Sequence, residues 1–216
     1  ILFKFATDVV IHESEKETIW MYGGAECSHE KAIKSAGYEL QGLVAIHNCK
    51  ISALRTPLMA LIDFRGYRLI AQSFLPITVT TIVYGSSDGG QLIHQDDPEL
   101  TKKIEKAATK LNLAPHFIQS RTNGTIVRMW GPGDLEGHKG LDGHHYVVDP
   151  GRVLPPCYRH DMLNREDAKK RIIFFQKLRA EFVRSYPRPL SSDAFTKWGR
   201  LDNTYHNSQV GGCVWM

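Results

Sequence analysis

The stretch that decides the fold is Pro57–Ile77, which reads PLMALIDFRGYRLIAQSFLPI. Two apolar runs flank the dipeptide Arg65-Gly66, and this arrangement is typical of a β-hairpin with a tight turn. Gly66 supplies the positive φ that a two-residue turn requires. Because both runs are largely apolar on both faces, we expect the hairpin to lie in the centre of its sheet. Pro76 then ends the second strand.

The neighbouring segments predict a second hairpin and two helices. Residues 78–94, TVTTIVYGSSDGGQLIH, repeat the order of a β-branched run, a turn and a short strand. An apolar stripe at helical spacing predicts a helix over residues 28–43, in which Gly37 suggests close packing. In residues 96–113, Asp97 is suited to cap a helix whose first position is Pro98.

The C-terminal half predicts more helix and an α+β fold. Residues 164–186 predict one long amphipathic helix, and the glycine-rich segment 131–143 predicts a loop between two short strands. A short helix is expected over residues 192–198. We therefore expect a single α+β domain over residues 1–210, with a mainly antiparallel sheet of hairpins and packed amphipathic helices, and a loose tail at residues 211–216.

Composition narrows the class of protein. The 216-residue chain is 42% hydrophobic and 23% charged, as expected for a globular protein with a substantial core. No stretch approaches about 18 consecutive apolar residues, so we expect no membrane span. The four cysteines form no C-x-x-C pair, which favours a reducing compartment. The first residues lack an initiator Met and a cleavage-site pattern, so we expect a domain excised from a longer protein.

Basic and aromatic residues suggest an RNA-binding surface. The net charge of +4 gives a mild preference for anionic partners. At the hairpin turn we expect one of the two arginines to pair with Asp63 and the other to remain free for phosphate. A lysine stripe on the second helix is interpreted either as a phosphate-contact surface or as an ordinary solvated face. The candidate RNA-binding residues are Arg65, Tyr67, Arg68, Tyr84, Lys102, Lys103, Lys106, Lys110 and Arg152.

A nucleotide-binding or phosphotransfer site is the alternative. The segment YGSSDGG, residues 84–90, is rich enough in glycine to hold a phosphate, but it lacks the G-K-[ST] ending of a P-loop and joins two strands. Asp149 follows a short apolar strand and precedes Pro-Gly, where kinases hold Mg²⁺, yet no H-R-D or V-A-I-K motif is present. The residues of this alternative are Glu39, Gly85, Gly89, Gly90 and Asp149.

The simpler interpretation is that Asp149 has a structural role. A strand-ending Asp can accept backbone N–H bonds in the following turn or pair with Arg152, so Asp149→Asn is expected to lower stability. For metals, Cys157 and His160 form one possible half-site, and His138, His144 and His145 supply no matching half, so no metal is expected.

Several linked motifs resemble the Clu domain of the clustered-mitochondria protein family. Three of them are Asp63 to Arg68 (DFRGYR), Ala71 to Pro76 (AQSFLP) and Val83 to Asp88 (VYGSSD). Two later ones are Asp142 to Pro156 (DGHHYVVDPGRVLPP) and Leu178 to Tyr186 (LRAEFVRSY). Their order and spacing are similar to the family pattern over about residues 36 to 190.

This resemblance implies a cytosolic protein that associates with messenger RNA for mitochondrial proteins and influences mitochondrial distribution. It brings no catalytic residue and no cofactor, so a non-enzymatic scaffold or binding domain is expected. The expected partners are mRNA or a ribonucleoprotein, together with other regions of a larger parent chain such as tetratricopeptide repeats. A protein–protein interaction module is a third possibility.

Overall fold

The chain folds into twelve short strands and five helices in the part that the structure describes. The structure is a computed structural model that describes residues 1–14, 18–22, 28–157, 172–198 and 203–213. The strands are β1 Leu2–Phe5, β2 Val10–Glu13, β3 Thr18–Trp20, β4 Leu54–Arg55, β5 Met59–Phe64, β6 Tyr67–Gln72, β7 Ile82–Gly85, β8 His94–Gln95, β9 His116–Gln119, β10 Ile126–Met129, β11 Glu136–Lys139 and β12 His145–Val148. The helices are α1 Ser28–Asn48, α2 Pro98–Lys110, α3 Ile172–Phe175, α4 Ala180–Ser185 and α5 Asn203–Gly212, with a 3₁₀ turn at Pro150–Arg152.

A five-stranded sheet forms the centre, in the order β4-β12-β11-β7-β8. All of its pairings are antiparallel except β12 with β4, so the α+β prediction with a mainly antiparallel sheet is confirmed. The predicted loop at residues 131–143 is wrong in its middle, because β11 is a strand there. Gly137 allows this: a Cβ at that position would lie 2.8 Å from Tyr84 Cβ and 2.9 Å from Leu100 Cδ2. The glycine therefore lets α2 pack directly on the sheet.

Helix α2 forms as its sequence predicts. The Asp97 carboxylate accepts a hydrogen bond from the Leu100 N–H at 2.9 Å, which satisfies one of the free donors at the helix start. The inward stripe of α2 enters the main hydrophobic core through Leu100, Ile104, Ala107 and Ala108. Burial of this stripe orients the helix and leaves Lys102, Lys106 and Lys110 exposed.

A second, three-stranded sheet has the order β1-β6-β5. The predicted hairpin is confirmed: β5 and β6 pair from Met59↔Gln72 to Phe64↔Tyr67. Both turn residues have positive φ, 49° at Arg65 and 83° at Gly66, as a type I′ turn requires. The predicted central position holds for β6 but is wrong for β5, which is an edge strand within the described chain. Apolar residues on both faces of a strand do not show that it has a neighbour on each side. Within the described chain one face of this sheet is covered, whereas Ile62 and Phe64 on the other face are exposed.

Helix α1 supplies that cover. Ile70 of β6 is buried in a small core with Ala6 and with Ala36 of α1. The expected close packing at Gly37 is wrong, since a Cβ there would meet nothing within 4 Å. The close approach is one turn later at Gly42, where a Cβ would lie 2.1 Å from the Pro150 carbonyl oxygen.

The C-terminal part departs most from expectation. Within the described part of residues 164–186, the single long helix is wrong, because residues 176–179 separate α3 from α4. Lys177 instead forms an antiparallel bridge with Pro156, and the Leu178 N–H donates to the Pro155 carbonyl at 2.9 Å. Residues 192–198 form turns rather than the expected short helix. The expected loose tail from residue 211 is wrong in its first part, since α5 continues to Gly212 and Cys213 is buried; residues 214–216 lie outside the described chain.

Candidate functional site

One face of the three-stranded sheet exposes a continuous set of large apolar side chains. Alternate residues of a strand share a face, and the register places Phe5 and Ile62 on either side of Leu69. Phe64 lies opposite Tyr67 by the same register. We call this surface the aromatic sheet face, defined by Phe3, Phe5, Ile62, Phe64 and Tyr67.

The aromatic rings of this face are accessible and close together. Phe3, Phe5, Phe64 and Tyr67 are each between 57% and 60% exposed. The Phe5 and Tyr67 rings meet edge to face with centroids 5.7 Å apart. Beside them lies a groove of about 690 Å³ lined by Phe5, Thr7, Phe64, Arg65, Tyr67 and Leu69. Contiguous exposed apolar surface of this kind marks an interaction site.

The two hairpin arginines have different environments. Arg68 donates to both carboxylate oxygens of Asp63, at 2.7 and 2.8 Å, and this pairing lowers the pKa of Asp63. Arg65 is exposed and has no carboxylate partner among the described residues; its guanidinium lies 5.3 Å from the centroid of the Phe64 ring. The prediction that one arginine pairs with Asp63 is therefore confirmed, and Arg65 is the cation left at the rim of the aromatic sheet face.

The lysine stripe on α2 divides into two pairs. Lys103 is largely covered and its ammonium lies 2.7 Å from Glu99 and 2.8 Å from His145 Nδ1. Lys110 donates to the Cys49 carbonyl at 2.8 Å. Lys110 is nevertheless exposed, as are Lys102 and Lys106. Two of the four lysines thus hold the helix to its neighbours, and only the other two resemble a phosphate-contact surface.

Tyr84 and Arg152 are buried, so neither side chain is placed to contact RNA. The Tyr84 hydroxyl donates to the Trp130 carbonyl at 2.8 Å and accepts from the Trp130 N–H at 2.9 Å. Burial raises the pKa of Tyr84 well above its usual range. Both residues were selected as RNA-binding candidates because the sequence does not show which side chains are buried.

Arg152 is the centre of an internal charge cluster. It donates to Asp134 and to Asp193, each at 2.7 Å, and the predicted pairing with Asp149 is wrong. Asp193 also accepts from the Gly133 N–H at 2.8 Å, and His116 Nε2 lies 2.9 Å from it. Although burial opposes ionisation, the Arg152 charge and these hydrogen bonds hold the pKa of Asp193 far below its ordinary value. Through Asp193, the cluster joins the C-terminal segment at residues 190–198 to the loop before β11 and to the 3₁₀ turn after β12.

A cleft of about 610 Å³ lies beside this cluster and shares Asp134 with it. We call it the acidic cleft, after the three carboxylates that line it. The other lining residues include parts of the 86–90 loop and three aromatic residues, Phe174, Phe195 and Trp198. Among the residues that line it are Ser86, Gly89, Gly90, Asp134, Glu136, Asp149, Phe174 and Trp198.

The acidic cleft brings together three residues of the nucleotide-binding alternative: Gly89, Gly90 and Asp149. Gly85 does not join them, because a Cβ there would lie 1.8 Å from the Leu135 carbonyl oxygen, so this glycine serves packing. Glu39 lies outside the lining, beside Gly151, and its carboxylate is 3.7 Å from the Lys4 ammonium.

Several hydrogen-bond donors in and just after the 86–90 loop already have acceptors within the protein. Asp88 accepts from the N–H groups of Gln91 and Leu92, at 2.9 and 3.2 Å, and from the Ser86 hydroxyl at 2.7 Å. The Ser86 hydroxyl in turn accepts from the Gly90 N–H at 2.9 Å. The loop therefore carries its own anion, which argues against the phosphate interpretation.

Asp149 is the unusual residue of the acidic cleft. It has a left-handed backbone, with φ 56° and ψ 48°, and its side chain makes no capping hydrogen bond. The surrounding protein desolvates its carboxyl, and the charges of Asp134, Glu39 and Glu136 act in the same direction, so its pKa rises to about 7. Near neutral pH the Asp149 carboxyl is therefore partly protonated.

Histidines of the central sheet are engaged in hydrogen bonds. His138 lies 3.0 Å from the Thr81 hydroxyl and 3.2 Å from Glu136, and His145 lies 3.2 Å from Asp97. Among the described residues, no group of three or more His, Cys, Asp or Glu is arranged to hold a metal ion. His160 lies outside the described residues, so the structure does not test the Cys157–His160 half-site, for which the sequence offered no matching half.

Most of the chain that forms these surfaces matches a known protein family. A sequence model of the family described as "Clustered mitochondria" matches residues 1–160, a span that includes the hairpin, the 86–90 loop and Asp149. The chain belongs to the clustered mitochondria family. The matched residues 1–160 include every residue of the aromatic sheet face.

Relatives in this family come from distant animals and from a plant. The chain is 33% identical over 132 residues to a "Clustered mitochondria protein homolog" of Caenorhabditis elegans, which is 58% of this chain and 10% of that protein. It is 28% identical over 213 residues to the homolog of Brugia malayi, or 93% of this chain and 13% of that protein. With the "Clustered mitochondria protein" of Arabidopsis thaliana it shares 31% identity over 126 residues, 56% of this chain and 9% of the relative.

The chain thus spans about a tenth of the length of the clustered mitochondria relatives that it matches. No solved structure matches it. Across the residues that the structure describes, none of the helices combines the length and apolar character needed to cross a lipid bilayer.

Sequence reasoning missed most of the aromatic sheet face. It selected Tyr67 but not Phe3, Phe5 or Phe64, although the alternation in LFKF and the pairing of Phe64 with Tyr67 across the turn were available signals. It also missed Asp134 and Trp198 in the acidic cleft. These two are distant in sequence from Asp149 and carry no local motif, so only the fold brings them together.

Proposed function

We propose that this chain is a non-enzymatic RNA-binding module of a clustered mitochondria protein, and that it binds single-stranded RNA on the aromatic sheet face. The observation that supports the proposal is the accessible group of Phe3, Phe5, Phe64 and Tyr67 on one sheet surface. Single-stranded bases stack on aromatic rings of this kind, as they do on the sheet of RNA-recognition modules.

The charge at the rim fits this role. Arg65 stands next to Phe64 and keeps its guanidinium free of carboxylates among the described residues, so it can meet a phosphate while a base stacks nearby. The exposed Lys102 and Lys106 of α2 add positive charge elsewhere on the surface. The chain's net charge of +4 favours the same class of partner.

The printed names of the relatives refer to clustered mitochondria. We extend this to the chain as part of the proposal: by holding messenger RNA or a ribonucleoprotein in the cytoplasm, the parent protein influences how mitochondria are distributed. The chain contributes the RNA contact, and other regions of the longer protein contribute the rest.

The test is fluorescence anisotropy with a labelled single-stranded RNA, supported by crosslinking of the purified chain to cellular RNA. The double variant Phe5→Ala/Tyr67→Ala should weaken RNA binding by roughly tenfold or more, since one base–aromatic stack contributes about 1–3 kcal/mol. Phe117→Ala is the matched control, because Phe117 is an exposed aromatic residue on β9 in a different sheet. Equal loss in both variants, or no loss in either, contradicts the proposal.

The alternative is that the aromatic sheet face binds a protein partner instead of RNA. The aromatic sheet face would then be a docking surface of the protein–protein kind, and the double variant would leave RNA affinity unchanged. In that case the RNA contact shifts to Lys102 and Lys106, and the variant Lys102→Ala/Lys106→Ala should reduce the salt dependence of binding instead.

A further inference from the structure

The outer edge of β5 carries backbone hydrogen-bonding groups that the RNA proposal does not use. Phe64 and Tyr67 flank a two-residue turn, so they form a hydrogen-bonded pair, and such pairs recur at every second residue of an antiparallel ladder. The backbone N–H and C=O groups of the residues in between point away from β6. These residues are Met59, Leu61 and Asp63. Because β5 has no neighbour on that side within the described chain, the groups lack a strand partner.

Strand β5 differs from the other edge strands of the described chain, which are two to four residues long. Short strands, lysines, prolines and bulges are the usual protection of a sheet edge against further pairing. β5 has six residues, contains neither Lys nor Pro, and pairs with β6 without a register shift. Its charged residue, Asp63, is neutralised by Arg68. The edge is therefore long, regular and open to a further strand.

An exposed apolar row runs along the same edge. Leu58, Ala60, Ile62 and Phe64 occupy alternate positions, and all four are exposed, Leu58 by 80% and Phe64 by 57%. The Ser73 N–H donates to the Leu58 carbonyl at 2.9 Å, so the ladder between β5 and β6 extends to the first member of this row. The edge thus combines unpaired backbone groups with apolar side chains that a neighbouring strand would cover.

We propose that the β5 edge binds an extended peptide segment of a partner protein, which adds to the sheet as a strand antiparallel to β5. An extended backbone presents donors and acceptors at every second residue, about 7 Å apart, which is the spacing of the free groups on β5. Apolar side chains at alternate positions of the peptide then cover the exposed apolar row. In this mode of recognition the backbone bonds supply affinity and the alternate side chains supply specificity.

A second copy of this chain fits the edge less well than a separate peptide. Each copy has a net charge of +4, so two copies repel one another. A two-fold axis at Leu61 would also place Arg65 of each copy opposite Pro57 of the other, and Pro57 is buried and has no N–H for the ladder. The positive net charge and the exposed Arg65 instead favour a peptide with acidic residues at its ends.

The proposal is tested by amide hydrogen exchange of the whole chain, with and without a probe peptide. The probe is a short acetylated peptide of alternating Val and Thr with Glu at each end. In the free chain the amides of Leu61 and Asp63 should exchange rapidly, whereas those of Ala60 and Ile62 should exchange slowly because they bond to β6. At a peptide concentration about ten times its Kd, exchange at Leu61 and Asp63 should slow by about tenfold.

Two N-methylated forms of the probe test the backbone contact itself. Directly opposite residues of an antiparallel pair face the same side, so the Val residues lie beside the apolar row and the Thr N–H groups bond to β5. Methylation of the Thr nitrogens should therefore weaken binding by about tenfold or more, and methylation of the Val nitrogens should leave it nearly unchanged. Equal effects of the two forms would overturn the proposal.

The matched variants of the chain are Met59→Pro and Met59→Ala. Both remove the side chain, but only proline removes the N–H at the open edge, and proline is tolerated at the first residue of a strand. Met59→Pro should bind the probe about fivefold more weakly than Met59→Ala. Both should keep the RNA affinity of the natural chain, since Met59 packs on the α1 side of the sheet, so the two proposals fail separately.

Two further outcomes contradict strand addition by a partner peptide. One is a probe that does not slow exchange at Leu61 and Asp63 at any concentration. The other is protection of these amides in the free chain that rises with protein concentration, which would assign the edge to a second copy.

Discussion

Arg68 binds Asp63 across the β5–β6 hairpin through two parallel hydrogen bonds of 2.7 and 2.8 Å. The turn between them leaves Arg65 on the exposed rim, with its guanidinium 5.3 Å from the centroid of the Phe64 ring and no carboxylate partner among the described residues. One hairpin therefore contains a structural arginine and an available one, three residues apart. This difference gives the first prediction.

Arg65→Ala and Arg68→Ala should have unequal effects. Loss of Arg65 should lower RNA affinity and reduce the salt slope while the melting temperature stays nearly constant, because a phosphate contact disappears. Loss of Arg68 should lower the melting temperature slightly and leave the salt slope unchanged, since an exposed ion pair adds little stability. The measurements are a melting curve and RNA titrations at two salt concentrations; identical behaviour of the two variants would contradict the assignment.

Gly66→Val should destabilise the chain by about 1–3 kcal/mol, because a β-branched residue does not tolerate its φ of 83°. The strain is in the backbone alone, since a Cβ at this position meets nothing within 4 Å. Gly37→Ala in α1 is the matched control: it also has open space, and it should be neutral or stabilising by up to about 1 kcal/mol. Urea denaturation followed by circular dichroism measures both; a Gly66→Val variant as stable as the natural chain would argue against the type I′ turn.

Asp149→Asn should stabilise the chain more at about pH 8 than at about pH 5. The folded-state pKa of Asp149 is about 7, above the ordinary value of 3.8, so between these values the folded state holds a proton that the unfolded state has released. The free energy of unfolding therefore falls as pH rises through this window, and Asn removes that loss. This reverses the sequence-based expectation of lower stability. Melting temperatures of both proteins at the two pH values decide it, and a stability difference that is constant with pH counts against the raised pKa.

Arg152→Ala should be strongly destabilising, by roughly 3–5 kcal/mol, because it leaves the carboxylates of Asp134 and Asp193 buried or half-buried without their cation. Arg121→Ala, at an exposed arginine, is the control and should change stability little. Chemical denaturation gives the difference. A mild effect of Arg152→Ala would show that this cluster does not hold the C-terminal segment in place.

Lys177→Met should raise stability at neutral pH by about 1–3 kcal/mol, since the Lys177 ammonium is buried and has no hydrogen-bond partner among the described residues. Burial and the Arg152 charge lower the pKa of Lys177 to about 7, so from there up to the ordinary 10.5 the unfolded state binds more protons and stability rises with pH. The gain from Met should therefore shrink at about pH 10. A gain that persists unchanged at high pH would point to better packing rather than to relief of a buried charge.

Local chemistry was enough to predict several elements. Asp97 and Pro98 define the start of α2 because the cap and the first helical position act within one turn. Gly66 defines the hairpin turn for a similar reason, since φ at a two-residue turn is a property of the residue itself. The linked motifs around the hairpin and the 86–90 loop also carried the family relationship, because order and spacing along the chain are visible in the sequence.

The candidate surfaces depended on which faces the fold covers, and this is a tertiary property. Alternating Phe3 and Phe5 would serve equally well in a core; they are exposed because α1 packs only on the Ile70 side of the sheet. The opposite error occurred at Tyr84 and Arg152, whose types suggested contacts but which the central sheet and the C-terminal turns bury. Asp149 likewise looked like a turn residue, and it became unusual only because the fold placed other carboxylates around it. Sequence patterns specify short-range geometry, whereas burial and charge at a site come from segments that only folding brings together.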